Sequence, residues 1–321
     1  MSKADEIFIK NARYILEHGT STEGQLVRPH WPDGTPAYTI KQFGVAEEYN
    51  LQEEFPAMTL RKTGIKSATE EILWIWQKKS NNIHDFSLHI WDSWTDETGS
   101  IKKAYGYQAG KVSVFRRIDK GRADLNEAEL DKYKERISAM HLPSVQYKEY
   151  TDGTAAILMD QTDGVLYQLK YEPFSRRIQA SLWNVDELTE MGLQPCCWSF
   201  TLNVTDEKRT DGKLTLNMVL NQRSNDMLAA NNWNTVQYAV LLMMFAQASG
   251  MVAGKLLHVI VDQHIYDRHI PLVRELIERP QYPAPKVWLD PEVTDFYKFT
   301  KDSLHVEDYT AGEQMKFEVA I

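Results

Sequence analysis

The chain has 321 residues, 43% of them hydrophobic and 25% charged, and its formal net charge is −9. This composition is typical of a globular protein, and the acidic balance disfavours a protein that follows the phosphate backbone of a nucleic acid. A small anionic ligand remains compatible with that charge, because a few arginines can hold a phosphate group locally.

The early part of the chain predicts two helices with a polar loop between them. Residues 4–18 have an amphipathic pattern that ends at a glycine, and residues 20–37 are rich in Gly, Pro and Thr, which indicates a functional or mobile loop. Residues 67–80 predict a second helix, because their apolar side chains recur at core spacing. Ser67 and Glu70 have the spacing of a capping box at its start.

The remainder of the chain predicts a surface insertion followed by a sheet. Residues 111–157 are charged, with a helix pattern at 129–140, and we interpret them as an inserted subregion. Beyond them, residues 234–250 are apolar nearly all round and predict a buried helix. Strands interleaved with helices indicate an α/β or α+β fold around one large sheet. The strand-like runs are residues 177–183, 196–204, 213–223 and 255–266.

The only two cysteines, Cys196 and Cys197, are adjacent and close no useful loop, so we expect no stabilising disulfide. A reducing, cytoplasmic location fits this, and the charged N-terminus lacks the apolar stretch of a signal peptide. The longest apolar run, residues 238–246, falls short of the roughly 20 residues that cross a bilayer. No spacing of cysteine and histidine indicates zinc or haem, and no metal is expected.

Cys196 has two interpretations from its neighbours. Strict alternation would place it on an apolar strand face, as a buried core cysteine. Pro195 instead places it at the start of the strand, where functional side chains emerge. A nucleophilic thiol would also need cationic neighbours that lower its pKa. The apolar face in the first interpretation is shared with Trp198, Phe200, Leu202 and Val204.

Four arginines are candidates for those cationic neighbours. They lie near strand ends or in the early loop, and converging guanidinium groups could also bind a phosphate through paired hydrogen bonds. Each could equally be an ordinary surface arginine. Polar residues also collect at the end of the run 213–223, in the segment 222–226. The four arginines are Arg28, Arg176, Arg177 and Arg223.

A further polar cluster is expected on the last strand-like run. Asp262, His264 and Tyr266 fall on one face of a strand, which predicts either a polar pocket or a hydrogen-bonded structural histidine.

Taken together and in order, these residues resemble the signature of the thymidylate synthase family. Pro195-Cys196, the segment 222–226, Asn234 and the segment 262–266 follow the family's sequence of motifs. The resemblance covers nearly the whole chain except 111–157, and it implies one domain over 1–321 with a large mixed sheet flanked by helices. Further matches in family order are Glu71, Trp91, Trp94, Tyr105, residues 175–178, residues 182–188 and the C-terminal residues 319–321.

The resemblance implies a reaction: reductive methylation of dUMP to dTMP. Cys196 would add to C6 of the uracil ring, which is nucleophilic catalysis. The implied co-substrate, 5,10-methylenetetrahydrofolate, would donate both the one-carbon unit and a hydride, without metal or NAD. The family is homodimeric, and Arg176 and Arg177 would reach into the partner's site.

The resemblance also implies roles for individual residues. The catalytic set would be Cys196, Glu71, Tyr105, Asn184 and Arg223. The dUMP-binding set would be Arg28, Arg176, Arg177, Gln222, Arg223, Ser224, Asn234, His264 and Tyr266. The folate-binding set would be Trp91, Asp226, Ala230 and Ala320.

Asn234 carries the expectation that uracil is the base, because a carboxamide can match the N3–H donor and the O4 acceptor together. The chain departs from the family just before it: residues 229–233 read Ala-Ala-Asn-Asn-Trp where Leu-Gly-Leu-Pro-Phe is usual. Two alternatives remain open from sequence. One is hydroxymethylation of a pyrimidine nucleotide on the same scaffold. The other is a non-catalytic homologue that binds a nucleotide or RNA.

Overall fold

The structure is a computed structural model that describes residues 1–119, 127–206 and 211–321. The helices are α1 (Lys3–His18), α2 (Ile65–Trp76), α3 (Gly106–Ala109), α4 (Glu127–Ser138), α5 (Gln161–Tyr171), α6 (Asn231–Ala248) and α7 (Ile270–Leu276). The strands are β1 (Thr20–Ser21), β2 (Thr39–Asn50), β3 (Ser113–Ile118), β4 (Gln146–Glu149), β5 (Ala155–Met159), β6 (Gln179–Ser181), β7 (Cys197–Thr205), β8 (Thr215–Asp226), β9 (Val252–Tyr266), β10 (Lys286–Leu289) and β11 (Leu304–Glu307). Within the described ranges, no helix combines the length and apolar content needed to cross a membrane.

A six-stranded mixed sheet forms the centre of the molecule, in the order β1-β2-β9-β8-β7-β6. Strands β8 and β9 are parallel and are joined through α6, whereas the other neighbours are antiparallel. The predicted α/β (α+β) fold with one large mixed sheet flanked by helices is therefore confirmed. The long strand β2 was not predicted, because the segment alternates weakly and contains two charged residues in succession.

The main core lies between this sheet and two helices, α2 and α6. Helix α6 is apolar on all sides and 13 of its residues are buried, as its sequence predicts. Aromatic side chains fill the space: the ring centroid of Phe200 lies 5.0 Å from that of Trp76 and 5.9 Å from that of Phe245. A second apolar cluster packs α1 and α7 at the edge of the sheet.

Helix α2 begins two residues earlier than predicted, so one local expectation is wrong. Gly64 is its N-cap residue and contributes no side-chain hydrogen bond. Ser67 consequently lies inside the helix and forms no capping box with Glu70. The Glu70 carboxylate instead accepts hydrogen bonds from the backbone and hydroxyl of Ser87.

The region predicted as an insertion contains a separate antiparallel sheet in the order β3-β5-β4, followed directly by α5. The predicted helix at 129–140 is α4, which runs from Glu127 to Ser138. Polar contacts fasten this region to α5: Arg116 forms an ion pair with Glu172 at 2.8 Å, and the backbone N–H of Ser144 donates to Asp163. The small sheet is thus fastened through α5, which contacts β6 at the end of the large sheet.

Candidate active site

Cys196 lies immediately before β7 and is half-buried. A β-bulge at Trp198 interrupts the pairing of β7 with β8, so the alternation expected from residue 196 onward is wrong at its first positions. Cys197, which is 3% exposed, occupies the core face together with Phe200. The bulge turns Cys196 out of that face, so of the two adjacent thiols it is Cys197 that behaves as the core cysteine.

Arg223, on β8, holds the segment that carries Cys196. Its backbone N–H donates to the Cys196 carbonyl at 2.9 Å, and its Nε donates to the Pro195 carbonyl at 3.1 Å. One terminal nitrogen donates to the Gln194 carbonyl at 2.8 Å and lies 3.9 Å from Cys196 Sγ. A single guanidinium therefore fixes the loop and also places positive charge at the sulfur.

Burial raises the pKa of the Cys196 thiol, and the opposing effects of Arg223, Tyr105 and Arg28 do not fully offset it. Burial therefore favours the protonated thiol over the thiolate in the free protein. Two of the four arginines that the sequence singled out act on it. Arg176 and Arg177 are exposed on the segment between α5 and β6, and neither forms an ion pair with any residue in the described ranges.

Tyr105 lies against the same segment. Its hydroxyl oxygen accepts the backbone N–H of Cys196 at 3.1 Å, and its ring meets that of Trp91 edge-on at 4.9 Å. Its φ of 42° is unusual for a residue with a side chain. The following residue must be glycine, because a Cβ at Gly106 would lie 1.9 Å from the Ser80 carbonyl oxygen. Close packing of this turn therefore sets the tyrosine's position.

Glu71, on α2, is 5% exposed and is held by two indole rings. Trp91 Nε1 donates to one carboxyl oxygen at 2.9 Å, and Trp233 Nε1 donates to the other at 2.6 Å. Burial raises the pKa of Glu71, against the lowering effect of its hydrogen-bond donors. Trp91, expected from the resemblance to line the folate side, is itself 7% exposed.

Asn234 stands in a chain of carboxamides. Its Oδ1 accepts from Gln222 Nε2 at 3.0 Å, and its Nδ2 donates to Gln237 Oε1 at 3.0 Å. Because a carboxamide has two acceptor sites and two N–H donors, one of each remains for a ligand. The half-buried side chain can thus present a donor and an acceptor side by side.

The direction of the Gln222 carboxamide is set by its own partners. Its Nε2 donates to the Ser224 carbonyl at 2.8 Å, so its Oε1 must face the other way. There it lies 2.7 Å from Nε2 of the fully buried His258. Burial lowers the pKa of His258 to about 3, which keeps the imidazole neutral. A neutral ring protonated on Nε2 donates to that oxygen.

His264 and Tyr266 share one face of β9 with Asp262, as the sequence predicts. His264 Nδ1 lies 2.9 Å from the Asp262 carboxylate, and its ring meets that of Tyr266 at 5.1 Å. Lys41 also bonds Asp262, at 2.6 Å. Burial raises the pKa of Tyr266, which lies close enough to Arg28 and Cys196 to be influenced by both.

Asp226 ends β8 beside the start of α6. Its carboxylate accepts the backbone N–H groups of Leu228 at 2.9 Å and Ala229 at 3.2 Å. Burial acts to raise the pKa of Asp226, but contacts dominated by His269 outweigh it and the net pKa is lowered. An ionised carboxylate therefore stands next to Ala230, the N-cap residue of α6.

The C-terminal residues lie against the early loop. Ile321 and His30 exchange two backbone hydrogen bonds, each of 2.9 Å. His269 Nε2 lies 2.8 Å from the Glu318 carbonyl. Ala320 is half-buried in this arrangement. The chain end is thereby placed two residues from Arg28.

Asn184, which the resemblance groups with Glu71 and Tyr105 in the catalytic set, forms its side-chain hydrogen bonds with two other residues. Its Nδ2 donates to Glu187 at 2.8 Å and approaches Gln108 Oε1 at 3.3 Å. Lys111 closes on the same Glu187 carboxylate at 2.8 Å. Asn184 therefore belongs to a neighbouring polar network around a carboxylate whose pKa is lowered to about 2, chiefly by the Gln108 hydrogen bond.

Three residues at this site were missed by sequence reasoning: Trp233, Gln237 and His258. Trp233 lies within the departure at 229–233, which was the available signal. Gln237 follows Asn234 by three residues on a helix, so its side chain lies on the same side. The pattern around His258 is that of a plain buried strand and gave no signal. Within the described ranges, no three His, Cys, Asp or Glu side chains are grouped as a metal site.

Comparison with known proteins relates this chain to one protein family. A sequence model described as thymidylate synthase matches residues 6–321. The chain is 37% identical to a thymidylate synthase of Bacillus licheniformis and 36% identical to thymidylate synthase 1 of Bacillus subtilis strain 168, in each case over the whole of both chains. Among solved structures, the thermostable thymidylate synthase A from Bacillus subtilis is similar, with a TM-score of 0.78, 36% identity and 99% coverage of each chain.

Proposed function

The chain belongs to the thymidylate synthase family of methyltransferases, which convert dUMP to dTMP, and we propose that it performs this reaction through a covalent adduct between Cys196 and uracil C6. The observation that carries the proposal is the placement of the sulfur. Cys196 Sγ lies 3.9 Å from an Arg223 guanidinium nitrogen, on a loop that the same guanidinium fixes.

The thiol must lose its proton before it attacks. Burial raises the pKa of Cys196 in the free protein even with Arg223 and Arg28 close, and these two guanidinium groups are the charges that favour the thiolate against that effect. Addition of the sulfur to C6 moves the electron pair of the C5–C6 bond toward O4. The resulting enolate makes C5 nucleophilic, and the charge on O4 requires positioned donors.

Asn234 selects the base. The remaining N–H on its carboxamide donates to O4, and the remaining lone pair accepts N3–H of uracil. Cytosine has the opposite pattern at these two atoms and would leave buried groups unpaired. Gln222 acts behind Asn234 by holding the carboxamide in the orientation that reads uracil.

Positive charge and the β9 face bind the rest of the nucleotide. Arg28, Arg223 and Ser224 contact the phosphate, and His264 with Tyr266 contacts the deoxyribose 3′ hydroxyl. Arg176 and Arg177 serve the site of a second copy, since they are exposed and unpaired within the described residues. The active form is accordingly a homodimer. Several side chains in the middle of β9, including Val261, are half-buried or exposed. This face of the sheet is therefore available to pack against a second copy of the chain.

The folate co-substrate, 5,10-methylenetetrahydrofolate, supplies the one-carbon unit and a hydride. The residues present suit it: the ionised Asp226 carboxylate can accept N–H groups of a pterin ring, beside the small side chain of Ala230. Ala320 closes the site from the C-terminal end. Trp91, whose ring packs against that of Tyr105, lines the side of the site where the one-carbon unit is transferred.

Proton transfer at C5 is assigned to Glu71, with Tyr105 beside it. Burial raises the pKa of Glu71 above its ordinary value, which suits a group that takes up and releases a proton during the reaction. Asn184 supports this from the adjoining network. The chain works as one domain over 1–321 with an insertion at 111–157, and a reducing cytoplasm would keep Cys196 free.

Tritium release from C5-labelled dUMP tests the covalent step. The Cys196→Ala variant should release no tritium above background but should still bind dUMP, measured by calorimetry, because the arginines remain. Cys197→Ala is the matched control and should release tritium at the wild-type rate. Undiminished release by Cys196→Ala would refute the covalent mechanism.

A further inference from the structure

The Glu71 carboxyl group is held by hydrogen bonds that could control its orientation and its ionisation. Each of its two oxygens accepts one indole N–H, from Trp91 at 2.9 Å and from Trp233 at 2.6 Å. The two indoles come from different parts of the chain: one follows α2, and the other lies in the first turn of α6. Two rigid donors from separate elements leave the carboxyl group little freedom to rotate.

No cation in the described part of the chain faces this carboxyl group. The titratable groups near it are Cys197 on β7 and Tyr238 on α6, and burial raises the pKa of both, so neither is charged at neutral pH. Its neighbour on α2, Glu70, points outward to Ser87 and Lys301. On the loop of Trp91, Asp92 pairs with the exposed His89. Neutral N–H donors are therefore the groups that favour the ionised form.

A third donor stands nearby on α6. Gln237 follows Trp233 by four residues, so both side chains lie on the same face of the helix. Its Oε1 accepts from Asn234, while its buried Nε2 has no hydrogen-bond partner of ordinary geometry among the residues that the structure describes. The Gln237 side chain nevertheless acts on Glu71 in the same direction as the indoles. Helix α6 thus links the residue that reads the base to the residue that moves the proton.

We propose that Trp233 is a positioning residue for the reaction: its indole N–H fixes the orientation of the Glu71 carboxyl group and favours its ionised form. The inference rests on the proposed acid–base role of Glu71. It also gives a reason for the tryptophan at the end of the departure at 229–233, because a phenyl ring at 233 would offer no donor to this carboxyl group.

The test is the pH dependence of kcat in Trp233→Phe. Loss of one donor to a carboxylate raises its pKa, so the limb of the kcat profile that reports Glu71 should move to higher pH by about one pH unit. KM for dUMP should change less than about twofold, because the indole N–H is engaged by Glu71 and phenylalanine keeps an aromatic ring at this position. Trp94→Phe is the matched control: it makes the same change where the buried Nε1 has no hydrogen-bond partner among the described residues, and its profile should not move.

A second measurement needs no change at Trp233. In wild-type protein labelled with ¹⁵N-tryptophan, two indole N–H resonances should titrate together with one midpoint, and both should cease to titrate in Glu71→Gln. Superimposable kcat profiles for Trp233→Phe and wild type, or indole resonances that ignore Glu71→Gln, would overturn the positioning role. Full turnover by Glu71→Gln would instead remove the proposed function of Glu71, and the inference with it.

Discussion

The surroundings of Cys196 and those of Glu71 oppose the effect of burial with different kinds of group. At Cys196 the protein uses charge: Arg223 and Arg28 act on a half-buried sulfur. At Glu71 it uses neutral N–H donors, and the carboxyl group is 5% exposed. Burial raises the pKa of both groups, and in neither case do the neighbours cancel the effect.

The difference follows from what each group must do. A nucleophile benefits from fixed positive charge, which stabilises the thiolate and also attracts an anionic nucleotide. A proton carrier must exist in both forms, and a fixed cation beside it would lock it in the ionised state. The two regions meet at the carboxamide chain of Gln222, Asn234 and Gln237, which is polar and uncharged.

The largest expected effect comes from placing charge in the neutral region. Asn234→Asp exchanges the N–H that faces O4 for a carboxylate oxygen and sets a second acid near Glu71. The ratio of kcat/KM for dUMP to that for dCMP should fall by about 10,000-fold, because a site built on hydrogen bonds rejects the wrong base strongly. Steady-state assays with both nucleotides measure it. An unchanged ratio would show that Asn234 does not read the base.

Removing charge from the other region should have the next largest effect. Arg223→Ala leaves the Gln194 and Pro195 carbonyls without their donor and withdraws the cation from the sulfur. We expect kcat to fall by about 100-fold or more, a loss comparable to that of one catalytic donor. Arg223→Lys keeps the charge but not the fork of contacts, and should be intermediate.

Thiol reactivity separates the two contributions of Arg223. In Arg223→Ala the pKa of Cys196 should rise further, so a smaller fraction of the thiol is ionised at any fixed pH below that pKa. Alkylation by iodoacetamide should slow in proportion to the thiolate fraction, about tenfold for a pKa that is higher by about 1. The rate in all variants should increase with pH, since the thiolate is the reacting form. An alkylation rate equal to that of wild type would limit Arg223 to a role in fixing the loop.

A smaller effect, on the free energy of unfolding, is expected from His258, the neutral imidazole that donates to the Gln222 carboxamide. Its pKa is lowered to about 3 in the folded chain from a usual 6.5, so below pH 6.5 the unfolded state binds the extra proton. This contribution to stability is complete above pH 6.5 and is lost as the pH falls toward 3. Between pH 7 and pH 5 the loss of this contribution lowers the free energy of unfolding by about 2 kcal/mol.

The variant His258→Gln should abolish that part of the pH dependence. Urea unfolding at pH 7 and pH 5 provides the comparison: the difference in the free energy of unfolding between the two pH values should be smaller in the variant by about 2 kcal/mol. Equal differences in both proteins would place the proton on His258 in the folded state, contrary to its burial.

Periodicity was enough to predict the elements that bury an apolar face. Helices α1 and α6 and strands β7 to β9 follow from their sequences within a few residues. Strand β2 was missed because its inward side chains include Glu47, which is buried among four polar donors rather than apolar groups. A glutamate is normally a surface residue, so a buried polar network leaves no sign in the pattern of apolar residues.

The site was predictable residue by residue only where the resemblance supplied a role. The approach of Arg223 to Cys196 depends on a bulge, and the indole pair on Glu71 depends on how α2 packs against α6. Neither leaves a signal in the local sequence, because both join segments far apart in the chain. The position of Asn184 illustrates the limit: its partners are Gln108 and Glu187, set by the turn that carries it.

The smallest expected effect distinguishes the two adjacent thiols. Cys197 lies in the core, and its S–H donates a weak hydrogen bond to Gln222 Oε1 at 3.3 Å. Cys197→Ala should therefore cost about 1 kcal/mol in the free energy of unfolding, from the loss of one small buried group. Turnover should stay at the wild-type level, because Gln222 keeps its bonds to His258 and Ser224. Urea unfolding and a spectrophotometric assay measure the two quantities. A loss of turnover out of proportion to the loss of stability would mean that the direction of the Gln222 carboxamide depends on the buried Cys197 thiol. Cys197 would then contribute to the site as well as to the core, and the bulge would not separate the roles of the two adjacent cysteines.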